Sequence, residues 1–143
     1  MFRRTFTALM SVFCLAILGG SAPSAADPES SGRFEAAFSS FTGRVSLAGG
    51  WKIVSTSEGD FGELGEGFRA RSAPDLKLFL SPRAHGEIIG SNASEGALRM
   101  GLLKANRGVQ RYPIPEGTDS SAFQSLVVHC EQYAKLWGTS PLR

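Results

Sequence analysis

A single cysteine near the C-terminal end, in the segment LVVHCEQYAKLWG, is the residue best suited to redox or ligand chemistry. Residues 126–131 alternate as a β-strand does, which places Leu126, Val128 and Cys130 on one face and His129 on the other. The two aliphatic residues mark the core face, so Cys130 is predicted to point inward. The adjacent His129 and Cys130 therefore do not make a catalytic dyad, and the pattern favours a buried structural thiol over a reactive one.

Other reactive groups do not assemble into a known motif. Outside the apolar N-terminal run that contains Cys14, one thiol with two scattered histidines, His85 and His129, does not supply the ligand spacing of a zinc site, so no metal is predicted. The CxxCH signature of covalent haem and the G-x-S-x-G signature of serine hydrolases are absent, although a cysteine thiolate can hold a non-covalent haem. The glycine-rich stretch GDFGELGEGF, with Asp60, Glu63 and Glu66, predicts a solvated hairpin tip.

The N-terminus has the layout of a secretory signal. The basic start MFRR precedes an apolar run over residues 6–18, too short to span a bilayer, and then the small residues GGSAPSAAD. Residues 1–26 are predicted to be a signal peptide cut after Ala26, with Ala25 as the alternative, and Cys14 leaves with them. The pair Arg3-Arg4 partly matches a twin-arginine signal. The product is expected to be periplasmic or extracellular.

The charge balance after export narrows the class of partner. Two of the 15 basic residues, Arg3 and Arg4, lie in the signal, which leaves 13 basic against 13 acidic residues. A neutral domain without a basic stripe is not typical of nucleic-acid binding, and no second apolar run has membrane length. One remaining thiol cannot form an internal disulfide, so packing must stabilise the domain, and the oligomeric state stays open.

The elements that must position Cys130 are short strands. After a polar linker over residues 27–32, apolar residues alternate in short runs separated by glycine and proline about every 8–12 residues. This spacing predicts an all-β fold: a single compact antiparallel β-sandwich or barrel-like domain over residues 33–143.

Individual segments carry more specific predictions. A first hairpin is expected over residues 42–57, and Leu76, Leu78 and Leu80 are expected to share one face of a strand. The stretch VQRYPIP predicts a short edge strand limited by its prolines. Only GRFEAAFSSF has apolar residues at helical spacing, and it could equally be an irregular segment packed over the sheet.

The order of four segments is similar to that in a known family. FTGRVSL, FRARSAPDLKLFLSP, GLLKANRGVQRYPIP and SLVVHCEQYAKLWGTSPL, spanning about residues 41–142, resemble the electron-transfer DM-thirteen domain. That module is found beside DOMON domains in Skeletor-type animal proteins and as short exported bacterial proteins. The resemblance implies an extracytoplasmic β-domain in which Cys130 serves as a redox thiol or holds a prosthetic group such as haem, with a redox protein as partner. His129 stands where the family often has tryptophan, and Ala73 where it often has glycine.

Three hypotheses of function remain from the sequence. The first is a redox or electron-transfer accessory domain acting through Cys130. The second is a non-catalytic extracytoplasmic binding module in which Cys130 belongs to the core. The third is covalent dimerisation through an exposed Cys130. No conventional enzyme motif supports a specific reaction.

Overall fold

Short strands make up most of the regular structure in the computed structural model, which describes residues 30–39, 43–44 and 46–143. The predicted signal peptide, its cleavage site and Cys14 lie outside these residues. The strands, in chain order, are β1 (Ser30–Arg33), β2 (Glu35–Ala36), β3 (Phe38–Ser39), β4 (Gly43–Arg44), β5 (Leu47–Ala48), β6 (Gly50–Thr56), β7 (Gly59–Leu64), β8 (Arg69–Ala70), β9 (Leu76–Ser81), β10 (Leu98–Leu102), β11 (Gln110–Pro113), β12 (Ser125–Cys130) and β13 (Lys135–Pro141). Single 3₁₀ turns lie at His85–Glu87, Ser120–Ala122 and Glu131–Tyr133.

Two antiparallel sheets carry the architecture, and the all-β sandwich prediction is confirmed. The first sheet has the order β1-β6-β7-β11, and the second has the order β10-β9-β12-β13-β2. The two-stranded pairs β3–β4 and β5–β8 lie outside them. As predicted, β11 is a short edge strand. Pro113, at the end of β11, has no N–H to donate to a further strand.

The main hydrophobic core contains the inward faces of both sheets. Leu76, Leu78 and Leu80 of β9 are all buried in it, which confirms the face predicted from their alternation. The buried indole of Trp51 on β6 donates from Nε1 to Oγ of Ser140 on β13 at 2.7 Å, which joins the two sheets by a hydrogen bond.

The opposite face of the second sheet is also covered. Phe79 of β9 and Val127 of β12 pack there against Ile88 and Ala93, which come from the segment connecting β9 to β10. We call this group the outer cluster. Because both faces of the second sheet are covered, every residue of β12 is buried.

Several local predictions differ from the structure. β6 pairs with β1 and β7, and β5 pairs with β8, so the hairpin expected over residues 42–57 does not form. Gly49, between β5 and β6, has φ +115°, a conformation that favours glycine. A Cβ there would lie 2.5 Å from Cα of Phe68, so the backbone at Gly49 packs directly against the residue that precedes β8. Ser30, Ser31 and Gly32, assigned to the linker from sequence, form β1 instead.

Two further segments depart from their sequence assignment. The stretch GRFEAAFSSF contributes β2 and β3 where a helix was one alternative, and its last residues lie outside the described part of the chain. GDFGELGEGF was expected to be a hairpin tip, yet its first half is β7, and the turn of the β6–β7 hairpin precedes it. Among the residues described, no helix has the length and apolarity needed to cross a membrane.

Candidate functional site

Cys130 is the last residue of β12 and faces the main core. It lies opposite Leu76 of β9 and Lys135 of β13, and its side chain is 0 % exposed. Trp137 and Val128 belong to the same cluster of buried side chains. The prediction that the sulfur shares its face with Leu126 and Val128 is therefore confirmed.

His129 lies on the opposite face of β12 and contacts the outer cluster. Its ring meets Phe79 edge-on, with the ring centroids 6.2 Å apart, and the residue is 2 % exposed. Nδ1 is buried without a hydrogen-bond partner. Burial lowers the pKa of His129 below its usual value, because the charged imidazolium would lose its hydration there. His129 and Cys130 are therefore separated by the sheet, and no dyad forms.

A tight turn directly follows Cys130 and connects β12 to β13; we call it the covering turn because it closes the end of the strand that carries the sulfur. This covering turn, residues 131–134, is a single 3₁₀ turn that ends at Ala134 in the left-handed conformation, with φ 46° and ψ 44°. Tyr133 on the turn is 65 % exposed. The thiol thus lies in the core but only a few residues from the surface.

Asp75 attaches the covering turn to the start of β9. Its Oδ2 accepts a hydrogen bond from the backbone N–H of Gln132 at 2.9 Å, and its carbonyl accepts one from Glu131 at 3.3 Å. The Pro74-Asp75 pair and Cys130 are two of the segments that carry the family resemblance, and the fold brings them together. Sequence reasoning missed this contact, because no periodicity links residues more than fifty positions apart.

Beside this turn, four charged side chains form a connected network on the outer side of the second sheet. Lys77 donates to Asp75 at 3.1 Å and to Glu131, while Arg99 donates to both carboxylate oxygens of Glu131 at 2.6 and 2.7 Å. The hydrogen bond from Lys77 is the main reason that the pKa values of Asp75 and Glu131 are lowered. The pKa of Lys77 is raised, and its hydrogen bond to Glu131 is the main reason. The network holds the covering turn against β9 and β10.

A surface pocket lies next to the covering turn. Tyr133, Lys135 and Trp137 line one part of it, and the chain from Arg71 to Pro74 lines the rest. The indole of Trp137 donates to the carbonyl of Arg71 at 3.0 Å, and Nζ of Lys135 lies 5.9 Å from the centre of the Trp137 ring. The pocket therefore has an aromatic wall with a cation beside it.

The residues around Cys130 do not fit a haem-ligating site. The sulfur is fully enclosed by core side chains, and the adjacent pocket is lined by other residues. Among residues 30–39, 43–44 and 46–143, no cluster of three or more histidine, cysteine, aspartate or glutamate side chains is arranged to hold a metal ion.

The acidic residues of the glycine-rich stretch do not converge. Glu63 lies within 3.1 Å of Lys52 and 2.5 Å of Arg111, and the hydrogen bond from Arg111 is the main reason that its pKa is lowered. Asp60 lies at the other end of β7, where it lines a separate pocket with Arg143. The carboxylates thus have different partners and surroundings.

Comparison with known protein families gives a match that includes the region of Cys130. The family model described as Electron transfer DM13 matches residues 38–142, which includes β9, β12, β13 and Cys130. No curated protein matches, and no solved structure matches. Because the match extends over more than half of the 143-residue chain, this protein belongs to the electron transfer DM13 family.

Proposed function

We propose that this chain is an extracytoplasmic electron-transfer accessory domain in which Cys130 is the redox-active group. The observation that carries the proposal is membership of the electron transfer DM13 family, with Cys130 inside the matched range. In the part of the chain that the structure describes, Cys130 is the free cysteine. The N-terminal signal predicted from sequence supports the location.

Because Cys130 has no second cysteine among the described residues to form an internal disulfide with, the proposed chemistry is thiol–disulfide exchange with external sulfur groups. The Cys130 thiolate attacks a disulfide in a partner protein, one sulfur of that disulfide bonds to Cys130, and the other leaves as a thiolate. A thiolate of a second partner dithiol then attacks the Cys130 sulfur, which releases the first partner as a dithiol and leaves Cys130 disulfide-bonded to the second partner. The other thiol of the second partner attacks its own bonded sulfur, closes a disulfide within that partner and expels the Cys130 thiolate. The electron pair thus passes between two external dithiols, with Cys130 as the intermediate carrier.

This chemistry requires local opening of the fold around Cys130, because the sulfur is 0 % exposed in the folded state, and the covering turn, which begins at the next residue, is the segment proposed to open. The turn is short, and Ala134 is the one non-glycine residue with positive φ in the described chain. Local opening at such a site needs less free energy than global unfolding.

Thiol alkylation of the native protein tests the redox proposal. We expect Cys130 to react faster than global unfolding allows, and Cys130→Ser to abolish both alkylation and mixed-disulfide formation with a small disulfide reagent. Reaction only at the global unfolding rate, measured in parallel by urea-jump kinetics, would refute this role for Cys130.

A second function is favoured by the burial of the sulfur among core side chains. In this alternative the domain is a non-catalytic extracytoplasmic binding module, and Cys130 is a packing residue. Cys130→Ala would then lower the free energy of unfolding by about 1–2 kcal/mol through the small cavity it leaves, with partner binding unchanged. Loss of binding in a folded Cys130→Ala variant would exclude this alternative.

Covalent dimerisation through Cys130 is disfavoured by the same burial. The native protein is expected to migrate as a monomer in non-reducing electrophoresis. Export is tested separately by mass spectrometry of the mature N-terminus, which should begin at Asp27 or, with the alternative cut, at Ala26.

A further inference from the structure

Three arginines are brought together on one exposed surface next to the covering turn. Arg69 of β8 and Arg107 of the loop before β11 form an antiparallel bridge, and both are exposed. The bridge is flanked by hydrogen bonds from Ala70 N–H to the carbonyl of Asn106 and from Gly108 N–H to the carbonyl of Phe68.

That hydrogen-bond pattern makes Arg69 and Arg107 a non-hydrogen-bonded pair. In such pairs the Cα atoms are about 4.5 Å apart. The two side chains project from the same face of the sheet and are closer together than in a hydrogen-bonded pair. Two like charges directly opposite each other destabilise a sheet. The folded chain nevertheless holds these two cationic side chains next to each other, so a negatively charged group from another molecule would relieve their repulsion.

Arg71 extends the charged surface. Its N–H donates to the carbonyl of Ser46, which continues the pairing of β8 with β5, so Arg71 lies on the same face as Arg69. Ala70 between them packs against the main core, which turns both arginines outward.

Within the described chain no carboxylate neutralises this group. The ion pairs of the structure leave out Arg69, Arg71 and Arg107, and the residue opposite Arg69 on β5 is Ala48. Arg83, Arg99 and Arg111 each bind a glutamate, whereas Arg33 and Arg143, like the three arginines of this group, are in none of the ion pairs among the described residues.

The arginine group is continuous with the aromatic pocket. Arg71 lines that pocket together with Tyr133 and Trp137, and Tyr133 is exposed. Arginine, tyrosine and tryptophan are the residues most enriched at the centres of protein interfaces. The guanidinium forks match carboxylates in a bidentate geometry.

We infer that Arg69, Arg71 and Arg107, with Tyr133 and the Trp137 pocket, form a docking surface for an acidic segment of a partner protein. The mixture of a small cationic group and an aromatic wall fits a peptide with carboxylates beside an apolar side chain. An extended phosphate backbone would need a longer basic track. The inference stands whether or not Cys130 is redox-active.

Binding of a short polyglutamate peptide to the mature domain tests the docking surface. We expect saturable, salt-sensitive binding that the double variant Arg69→Gln/Arg107→Gln weakens about tenfold. The matched control is Arg83→Gln/Arg143→Gln, which removes the same charge elsewhere and should change affinity less than about twofold.

The thermal midpoint of unfolding gives a second test that needs no added peptide. Because Arg69 and Arg107 repel each other, Arg107→Gln should raise the thermal midpoint at low salt, and the gain should disappear at high salt.

Four results would overturn the inference. The first is the absence of saturable polyglutamate binding, and the second is equal weakening by the two double variants. The third is competition by inorganic sulfate at the same charge concentration, which would indicate a free-anion site. The fourth is stronger binding to anionic lipid vesicles or to a DNA oligonucleotide, which would indicate a different class of partner.

Discussion

His129 is an ionisable side chain held in an apolar environment, with Nδ1 unsatisfied. Lys77 of β9 and Leu136 of β13 lie opposite His129 in the sheet, the Phe79 ring packs against it, and Asp75 and Glu131 contribute further charge. Loss of hydration is the largest influence and lowers the pKa of His129; a hydrogen bond with the backbone of Lys135 and the charges of Glu131 and Asp75 favour protonation, and Lys77 opposes it. The neutral imidazole is therefore the form that the folded state selects.

Acid should destabilise the fold through this residue. The pKa of His129 is lowered on folding, so the unfolded chain takes up a proton first as pH falls below about 6.5. Stability should fall by at most about 1.4 kcal/mol per pH unit until the folded-state pKa is reached. Urea unfolding between pH 7.5 and 5 measures this loss, which His129→Leu should remove.

The control for the acid effect is His85→Gln, because His85 lies at the surface near Glu35. It should retain the pH dependence of the native protein. Glu63, Asp75 and Glu131 have lowered pKa values, so their contribution is lost at lower pH, below their ordinary values of 3.8–4.5. An unchanged pH dependence in His129→Leu would contradict the assignment.

Ala134 is strained by its left-handed backbone, with φ 46°. Glycine carries no Cβ penalty there, so Ala134→Gly should raise the free energy of unfolding by up to about 1 kcal/mol. Ala122→Gly, at an exposed position with negative φ, should lower it by about 0.5–1 kcal/mol. Chemical denaturation measures both, and equal losses in the two variants would disprove strain at Ala134.

At the scale of elements, the segment connecting β9 to β10 covers one face of the second sheet. Ile88 and Ala93 supply the apolar contacts, and Gly90 makes the closest approach to the covering turn. A Cβ on Gly90 would lie 2.0 Å from the carbonyl oxygen of Ala134, so only glycine allows this contact without a backbone shift. The connecting segment and the covering turn therefore form one packed unit.

Gly90→Ala should disrupt the packing of the connecting segment against the covering turn. We expect a loss of about 1–3 kcal/mol in the free energy of unfolding, since the new methyl group overlaps backbone atoms that cannot rotate away. Gly86→Ala is the matched variant, because a Cβ there meets nothing within 4 Å. Its stability should match the native value or exceed it slightly. Equal stability of the two variants in urea would show that the segment does not pack on the turn.

At the scale of the whole molecule, the two sheets are joined by packing and by the hydrogen bond from Trp51 to Ser140. These residues are 89 positions apart in the chain, so the contact forms only when the sandwich closes. A hydrogen bond of this kind fixes how the first sheet sits on the second, because it requires one alignment of two buried side chains.

A double-mutant cycle measures that alignment. Trp51→Phe and Ser140→Ala should each destabilise the domain, and their coupling energy should be about 0.5–1.5 kcal/mol. The control cycle pairs Trp137→Phe with Ser140→Ala and should be nearly additive, because Trp137 donates to Arg71 instead. Additivity in both cycles would mean that the intersheet hydrogen bond does not contribute.

The sequence by itself determined the features that depend on local alternation. Period-two patterns place side chains on faces, which is why the inward positions of Leu78 and Cys130 and the edge strand β11 could be predicted. The order of segments also identified the family, because it is a property of the chain and not of the contacts.

Only the tertiary structure decided which strands pair and what covers each face. The wrong hairpin over residues 42–57 shows that turn residues do not reveal a partner strand. The burial of His129 depends on a distant connecting segment, and the pairing of Arg69 with Arg107 depends on a bridge between loops. Such contacts form between residues far apart in the chain, and a local pattern records only that a face is apolar, not which element will cover it.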